Sequence, residues 1–509
     1  MVKSFFACMM FGAALLGCAP TGAPGAPPAE GESETQAPLS GQATGLIQPG
    51  ANLLLLEVTG DDHAIYQDGE FVYATALKPG AKRELVAQVP PGNTAFVYVV
   101  GNVAFCWTNP DRSVPGFGVS PLVVWSAAHG AHEASAESPI GTFATSASED
   151  GSEVLFPTNA KAGGTVGDIE IASADFRDRR TLLGALPMGF PQGRCRPFAA
   201  FVGGRGHSHP VALHCEGDTS TATLSSWEGD ERTDLLGGVA TPPFFTADPG
   251  GDAFFTTLAG SGFPVAVTGG GEATVLDEVR SRLGFFAKDG FVVYTAQTPA
   301  GVELRRVAPG PCPEPRTLAG GVARVLTVLA GSKVITERWT SPDGRRVPFA
   351  TQIDPATGLA NLALVDARAA SAPLTVDPQA RNGLGGSPFS ADSKHLLFVR
   401  FDVNTGASTI TAFGEGGERQ LSDVNGWSYR PAQGGFVSFN DNAQVGPNGF
   451  TVVAADLKVV DLSRKAPEIR LIAPAANPTY FSSHERRRVV FTTDRPGTTA
   501  GLYSANVKG

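Results

Sequence analysis

The feature that most constrains the fold is a short pattern that recurs along most of the chain. A small residue and an Asp/Gly-type turn precede a strand-like segment that ends in an aromatic residue. The clearest copies are SEDGSEVLFPT from residue 148, FAKDGFVVYT from 286 and FSADSKHLLFVR from 389. Asp-Gly pairs form tight turns because Gly adopts positive φ without strain, and alternating apolar residues form one face of a strand. The pattern therefore predicts consecutive antiparallel strands.

The spacing of the copies predicts a propeller. The aromatic residues that end the copies are Tyr73, Phe156, Phe255, Tyr294, Phe398, Phe439 and Phe491. The shorter separations fit one blade of about forty residues, and the longer ones leave room for extra units. Candidates for extra units are VYVVGNVAFCW from 97, PVALHC from 210 and KVITERW from 333. Seven units are visible and up to ten fit. Because single rings usually have four to eight blades, we predict an all-β propeller of about eight, with seven blades or two stacked rings as alternatives.

The repeat resembles that of a known group of propellers. The pattern F-S-x-D-x-x-x-hydrophobic-hydrophobic-F, complete from Phe389 to Phe398, is similar to the repeats of TolB-like β-propellers. The resemblance covers residues 140–509 and, more weakly, 60–140, and it implies a protein of the bacterial periplasm or cell envelope. The family's SPDG turn occurs once, in TSPDG from 340, where an Arg-rich turn follows it. Such a repeat indicates a fold and says little about function.

The first residues have the layout of a secretory signal peptide. Lys3 precedes an apolar run from Phe5 to Leu16, which is too short to span a bilayer as a helix. The tetrad Leu15-Leu16-Gly17-Cys18 resembles the lipobox of bacterial lipoproteins, in which the Cys is lipidated and becomes the first residue. The resemblance implies a signal peptide over 1–17 and a palmitate-bearing lipid anchor on Cys18. In bacterial lipoproteins an Asp directly after the lipidated Cys often means retention in the inner membrane. Ala19 stands at that position here, so the resemblance implies that the protein is anchored in the outer membrane.

A polar segment follows the cysteine. Residues 18–49 are rich in Ala, Pro, Gly and Glu and contain no aromatic residue. Such a composition does not bury enough apolar surface to offset chain entropy, so we expect a flexible tether of roughly 30 Å mean reach. Residues 50–509 then form the propeller. The segment NLLLLEV, 52–58, precedes the first recognisable repeat, and we expect it to pair with the last unit and close the ring.

The net charge limits the kinds of molecule that the chain can bind, and the cysteine content limits its possible disulfide bonds. A net charge of −10 argues against binding to nucleic acid, whose phosphates attract Lys and Arg. Of the six cysteines, Cys8 lies in the predicted signal peptide and Cys18 is the predicted lipid site, so four remain. In an oxidising compartment these four allow three pairings. Cys195 and Cys215 are close enough in sequence to lie on neighbouring strands, so we expect a disulfide between them, which leaves Cys106 with Cys312.

Catalytic motifs are scarce in the sequence. It contains no G-x-S-x-G elbow, H-E-x-x-H or phosphate loop, and NGWSYRP from 425 only approaches the first. His207, His209, His214 and Cys215 have metal-ligand spacing, but a polar loop with Cys215 in a disulfide explains them better, so we expect no metal and no cofactor.

We therefore expect a lipid-anchored envelope scaffold that binds a protein or a glycan. The alternative is a hydrolase or lyase with its active site in the central funnel. The segments Asn109–Pro121 and Pro355–Arg381 have the length of insertion loops, and we expect the first contacts with a partner there.

Overall fold

The described residues of the computed structural model form short antiparallel strands joined by turns and loops. The structure describes residues 43–47 and 53–508, except 111–117, 141–143, 162–165, 188–196, 204–207, 216–220, 241–244, 249, 326–339, 355–358, 369–371, 382–387, 403–404, 406, 424, 446–451, 478, 483–486 and 494–500. These residues form 39 strands. Within these ranges, no helix is long and apolar enough to cross a bilayer.

The first five blades each contain four strands in sequence order. Blade 1 has β2 (Leu53–Val58), β3 (His63–Asp68), β4 (Phe71–Ala76) and β5 (Arg83–Gln88). Blade 2 has β6 (Phe96–Val100), β7 (Val103–Trp107), β8 (Val119–Ser126) and β9 (Gly130–Pro139). Blade 3 has β10 (Ser146–Ala147), β11 (Glu153–Lys161), β12 (Val166–Ser173) and β13 (Arg179–Pro187). Blade 4 has β14 (Phe198–Val202), β15 (His209–His214), β16 (Ala222–Glu228) and β17 (Glu231–Val239). Blade 5 has β18 (Thr246–Ala247), β19 (Ala253–Thr257), β20 (Pro264–Thr268) and β21 (Ala273–Val275).

The last five blades follow the same plan, with two variations. Blade 6 has β22 (Gly284–Phe286), β23 (Val292–Thr298), β24 (Gly301–Val307) and β25 (Arg316–Ala319). Blade 7 has β26 (Arg324–Val325), β27 (Arg346–Ile353), β28 (Leu359–Asp366) and β29 (Leu374–Arg381). Blade 8 has β30 (Leu396–Phe401), β31 (Ser408–Gly414) and β32 (Gly417–Gln420), and only the bridge between Phe389 and Leu396 stands in its inner position. Blade 9 has β33 (Tyr429–Pro431), β34 (Phe436–Val445), β35 (Val452–Asp461) and β36 (Ile469–Ala476). Blade 10 has β37 (Tyr480–Ser482), β38 (Arg488–Thr493), β39 (Gly501–Asn506) and β1 (Ala43–Ile47).

The blades form a ring around their first strands. The first strands of neighbouring blades contact one another, as β2 does with β6 and β10 with β14, and β2 also contacts β37 of the last blade. The ring therefore closes after ten blades in the described part of the chain, and the prediction of about eight is wrong. Three of the longer gaps in the repeat each contain one blade, namely blades 2, 4 and 7.

The turn after the first strand explains why the repeat is visible in sequence. In blade 3, Ser148 Oγ donates a hydrogen bond to Asp150 Oδ1 (2.8 Å), and Glu153 N donates to Ser148 Oγ (2.9 Å). Ser390 and Asp392 make the same bond in blade 8 (2.6 Å). Ser341 and Asp343 of the TSPDG segment make it in blade 7. That segment is therefore a regular blade turn despite the arginines that follow it.

Ring closure differs from the prediction. Strand β1 pairs antiparallel with β39, with Ala43 opposite Ala505 and Ile47 opposite Leu502, and it forms the outer strand of blade 10. The closing strand therefore lies within the predicted tether 18–49, and the propeller begins before residue 50. The predicted closing segment, NLLLLEV, instead contains β2, the inner strand of blade 1. As expected, a strand from the first part of the chain pairs with the last blade and closes the ring. That strand is β1 and not the predicted segment NLLLLEV.

Buried tyrosines join successive blades near the end of the chain. Tyr429 Oη on β33 donates a hydrogen bond to the backbone oxygen of Leu397 in blade 8 (2.8 Å). Tyr480 Oη on β37 likewise donates to the backbone oxygen of Ser438 in blade 9 (2.9 Å). Both side chains are almost fully buried. The inner strands therefore fix the packing of adjacent blades by specific polar contacts as well as apolar ones.

Blade packing leaves no room for a side chain at Gly284. A Cβ added there would lie 2.3 Å from Phe255 Cζ of the preceding blade. We expect Gly284→Ala to lower the free energy of unfolding by about 1–3 kcal/mol, because the aromatic ring must move within a packed core. Chemical denaturation measures this change. Gly310→Ala is the control, since no atom lies within 4 Å of a Cβ there. Equal stability of the two variants would contradict the packing argument.

Candidate functional site

One of the two predicted cysteine pairs does not form. Cys106 and Cys312 are free, and Cys106 is fully buried within β7, so the predicted Cys106–Cys312 pair is wrong. Burial raises the pKa of the Cys106 thiol to about 12. Cys215 is buried and disulfide-bonded. Its pairing with Cys195 stays a prediction, because Cys195 lies outside the described residues, as do Cys18 and His207.

The histidine cluster does not form a metal site among the described residues. His209 and His214 are the two ends of β15, and five positions along a strand place their side chains on opposite faces. Burial lowers the pKa of His209. No group of three or more His, Cys, Asp or Glu side chains in the described ranges is positioned to hold a metal ion.

His214 belongs instead to a chain of hydrogen bonds in blade 4 that runs from the buried interior to the surface. Ser225 Oγ donates to Asp234 Oδ1 (2.6 Å), and His214 Nε2 lies 3.0 Å from the same Ser225 Oγ. Arg232 Nε donates to Asp234 Oδ1 (2.7 Å). Because the serine proton is directed to the aspartate, His214 Nε2 is the donor to Ser225. Hydrogen bonds are therefore donated from histidine to serine and from serine to aspartate. In a catalytic triad the direction is the reverse, because the histidine accepts the serine proton.

The burial of Ser225 also argues against a role for its hydroxyl group as a nucleophile. Ser225 and His214 are 0% and 1% exposed, so no substrate reaches the hydroxyl in this conformation. Burial acts to raise the pKa of Asp234, but the hydrogen bonds from Ser225 and Arg232 outweigh it and the pKa is lowered. These residues stabilise the packing of strands β15, β16 and β17. The sequence analysis missed this network because its three strands are brought together only by pairing.

Buried carboxylates in other blades are also paired. Asp377 on β29 is fully buried and accepts a hydrogen bond from Arg400 Nε on β30 (2.7 Å), which joins blades 7 and 8. Glu170 on β12 accepts from Thr158 Oγ1 (3.0 Å) and from Arg179. These acids hold strands together and are not presented to a ligand.

A different arrangement occurs where blade 8 joins blade 9. We call this region the Trp427 surface and define it as Asp423, Asn425, Trp427, Asn442, Asp456 and Lys458. Trp427 is 47% exposed, although large apolar side chains are usually more buried. The Asp423 side chain is 81% exposed. The surface therefore combines an accessible indole ring with an accessible carboxylate.

The loop that carries Trp427 is held on both sides. Gly426 N donates to the backbone oxygen of Ser408 (2.7 Å), and Ser408 Oγ donates to the backbone oxygen of Gly426 (2.8 Å). Trp427 N donates to the backbone oxygen of Asn440 on β34 (3.3 Å). Gly426 is required here, because a Cβ would lie 2.4 Å from Ser422 Oγ. The indole is thus presented from a backbone fixed to both blades.

The polar side of this surface is built on β34 and β35. Lys458 Nζ lies 2.7 Å from Asp441 Oδ2, which is fully buried, and 3.7 Å from Asp423 Oδ2. Burial acts to lower the pKa of Lys458, but the hydrogen bond to Asp441 and the charges of Asp441, Asp423 and Asp456 outweigh it, so its pKa is raised. With three carboxylates and one ammonium group, this region carries net negative charge near neutral pH.

Asparagine and aspartate complete the surface. Asn442 Nδ2 donates to Asp456 Oδ2 (2.8 Å), and Ala475 N donates to Asp456 Oδ1 (2.9 Å). Asn442 has a positive φ of 50°, which this residue type tolerates better than most. The loop and the strand bulge therefore place amide and carboxylate groups on the same blade as Trp427.

The predicted insertion loops are only partly loops. The segment Pro355–Arg381 contains strands β28 and β29 of blade 7, so the prediction of a long insertion there is wrong. Strand β8 begins at Val119, within Asn109–Pro121. Asp402 accepts a hydrogen bond from Thr405 Oγ1 (2.9 Å) between β30 and β31.

Comparison with known proteins finds likeness in fold. No protein-family model and no curated protein sequence matches this chain. A crystal structure of the eukaryotic initiation factor is 13% identical, with 84% of this chain and 90% of that chain covered and a TM-score of 0.45. TolB from Acinetobacter baumannii is 10% identical, with 64% and 79% covered and a TM-score of 0.28.

An oligogalacturonate lyase in complex with manganese is 13% identical, with 81% of this chain and 96% of that chain covered and a TM-score of 0.33. At such identities and TM-scores these likenesses carry no conclusion about what this chain does. The pairing of its own strands makes this chain a β-propeller.

Proposed function

We propose that this chain is a lipid-anchored protein of the bacterial cell envelope whose propeller binds a glycan at the Trp427 surface without transforming it. The lipid anchor is Cys18, and the lipobox-like tetrad and Ala19 favour the outer membrane. The observation that carries the binding proposal is the exposed indole of Trp427 on a loop fixed to both neighbouring blades.

The chemistry around Trp427 suits a sugar. The C–H face of a sugar ring is apolar and packs on an indole, while its hydroxyl groups bond with carboxylate and amide groups. Asp423, Asn442 and Asp456 supply such groups in the same region. A protein partner would favour an aromatic anchor enclosed by further apolar side chains. The residues flanking Trp427 in the loop are Gly426 and Ser428, which add no large apolar side chain.

The arrangement of the acidic and basic side chains supports binding of a ligand without its chemical conversion. The constellation closest to a nucleophile and base, His214 with Ser225, is buried and has the wrong proton order. The buried carboxylates Glu170 and Asp377 are paired with arginines inside the blades. No observation in the described residues favours the alternative of a hydrolase or lyase in the central funnel.

We expect Trp427→Ala to weaken glycan binding by about tenfold or more, since a truncated central aromatic side chain removes most of the contact. The measurement is isothermal titration of the full chain in mild detergent with a panel of soluble cell-wall glycan fragments. Leu85→Ala is the control, because Leu85 is 52% exposed on an outer strand of blade 1, away from this surface.

Mass analysis of each glycan after incubation separates binding from catalysis. An unchanged mass together with weakened binding in Trp427→Ala supports the proposal. Cleaved fragments would show that the protein is an enzyme. Glycan binding that Trp427→Ala leaves intact would place the site elsewhere, and capture of an envelope protein instead of any glycan would replace the glycan with a protein partner.

A further inference from the structure

The chain enters the propeller on one particular face. In a four-stranded antiparallel blade, the turn between the first and second strands and the turn between the third and fourth lie on the same side, which we call the turn face. Ala43, the first residue of β1, lies opposite Ala505 near the end of β39. Asn506, at that end, lies opposite Arg488, the first residue of β38. Residues 18–42 therefore lead to the turn face of blade 10.

Exposed basic side chains surround this entry point. Two lie between β4 and β5 of blade 1, two between β35 and β36 of blade 9, and one each directly before β38 and after β39 of blade 10. We call them the basic patch and define it as Lys78, Lys82, Arg464, Lys465, Arg487 and Lys508. On the same face of these three blades, the exposed acids in the described ranges are fewer, namely Asp61, Glu84 and Glu468.

Hydrogen bonds between blades hold these turns side by side. Arg470 Nη2 donates to the backbone oxygens of Asn506 (3.1 Å) and Val507 (2.8 Å), which joins blade 9 to blade 10. Arg488 Nη1 donates to the backbone oxygen of Leu77 (3.2 Å), which joins blade 10 to blade 1. Each contact lies within one or two residues of a residue of the patch in at least one of the two blades. The six basic side chains therefore belong to one continuous surface.

The patch is an exception on an acidic protein. The net charge of the chain is −10. Across the ring, in blades 3 to 5, exposed acids outnumber exposed bases on the described part of the turn face, and they include Asp150, Asp178, Asp230 and Asp252. At physiological salt, charges more than about 10 Å apart are largely screened from one another. A flat anionic surface in contact with the patch therefore meets positive charge.

From the entry point and this charge we infer that the basic patch rests on the anionic lipid headgroups of a bilayer. Each Lys or Arg close to such a surface is attracted by it, and the attraction falls off within a Debye length. A flexible segment as long as residues 18–42 has a mean reach of roughly 30 Å, so an anchor on Cys18 would keep the patch near the membrane.

This contact would also orient the binding surface of the propeller. Trp427 lies between β32, the last strand of blade 8, and β33, the first strand of blade 9. Connections between blades lie on the face opposite the turns within blades. With the basic patch on the lipid, the Trp427 surface points away from the membrane. The inference thus goes beyond glycan binding, and it stands or falls without it.

Vesicle binding of the full chain with Cys18→Ser tests the contact, because no acyl chain then contributes. Sedimentation with lipid vesicles measures the bound fraction, with phosphatidylcholine alone or with about 30% phosphatidylglycerol. We expect binding to the anionic vesicles to be at least about tenfold stronger in about 0.1 M salt, and the difference to disappear in about 1 M salt. The apolar run near the start of the chain is attracted to both kinds of vesicle, so it does not create this difference.

Charge reversal identifies the patch. The triple substitution Lys78→Glu, Lys465→Glu and Lys508→Glu, one residue in each blade, should weaken binding to the anionic vesicles by about tenfold or more. The matched control makes the same change in net charge with three exposed arginines outside the patch, as Arg177→Glu, Arg282→Glu and Arg316→Glu. It should change binding by less than about threefold, because these side chains lie beyond a Debye length from the contact.

Every other outcome overturns the inference. Equal binding to neutral and anionic vesicles would show an apolar contact. A preference that persists in about 1 M salt would show that headgroup charge does not cause it. Equal loss in the two triple variants would reflect net charge alone, and retained binding in the patch variant would place the membrane contact on another surface.

Discussion

Replacing Leu46 by Asp will lower the midpoint of thermal unfolding by about 3–5 °C. Leu46 is 6% exposed on β1 and packs in a cluster with Leu55 and Tyr66 of blade 1 and Val490 and Leu502 of blade 10. The substitution removes this packing and places a carboxylate in an apolar site, at a cost of about 3–5 kcal/mol. Differential scanning calorimetry of the full chain measures the change.

Detachment of β1 has a second consequence. It uncovers the edge of β39, and exposed strand edges promote association between chains. Light scattering should therefore show aggregation of Leu46→Asp below the temperature at which the parent aggregates. Gly45→Asp is the matched control, because Gly45 is exposed and a Cβ there makes only an ordinary contact, 3.7 Å from Tyr503 Cε1. If both variants unfold at the parental midpoint, β1 is not the strand that holds the ring closed.

Cys18→Ser will release the protein from membranes and abolish incorporation of labelled palmitate. The expectation rests on the resemblance of Leu15-Leu16-Gly17-Cys18 to a lipobox, in which the thiol would carry the lipid. Each buried CH₂ of an acyl chain contributes about 0.8 kcal/mol, so loss of several chains changes partition almost completely. Fractionation with a high-salt wash, followed by detection of the protein in each fraction, measures the change.

Cys8→Ser is the control for that experiment. Cys8 lies inside the apolar run of the predicted signal peptide, so its replacement leaves the lipidated thiol in place. We expect full palmitate labelling and membrane association in this variant. A parent protein that carries no palmitate, or a Cys18→Ser variant that stays with the membranes after the wash, would rule out the anchor.

The sequence predicts most blades because their turns are local. Ser148, Asp150 and the following strand lie within ten residues, and the hydrogen bonds that define the turn form between neighbours in sequence. Blade 2 lacks this turn, because Gly101 and Asn102 alone join β6 to β7. Blade 7 has the turn, at Ser341 and Asp343, but an Arg-rich segment follows it. Blade number was therefore underestimated, although the candidate segments from 97 and 210 are strands of blades 2 and 4. The candidate KVITERW from 333 lies outside the described residues.

One misassigned turn accounts for the error in ring closure. The Asp68-Gly69 turn of the first repeat joins β3 to β4 and not the first strand to the second. Its aromatic Tyr73 therefore lies on the third strand, whereas Phe156 and Phe439 lie on the second strands of their blades. Shifting the first unit by one strand makes NLLLLEV appear unpaired and hides the role of β1.

The candidate binding surfaces were only partly accessible to sequence analysis. NGWSYRP resembles an incomplete catalytic motif, yet its distinctive property is the exposed side chain of Trp427. That exposure depends on the packing of two blades. Exposure of a side chain is not encoded within a short segment.

By itself, then, the sequence determined the all-β character, the turn type and the repeat, because Asp/Gly turns and alternating strands depend on residues a few positions apart. Only the tertiary structure decided the ten-blade ring, the closure of blade 10 by Ala43–Ile47 and the pairing of Asp377 with Arg400. These features depend on contacts between distant segments, as between Ala43 and Ala505, and many partners satisfy the same local pattern. The choice among them is made by the packing of whole blades.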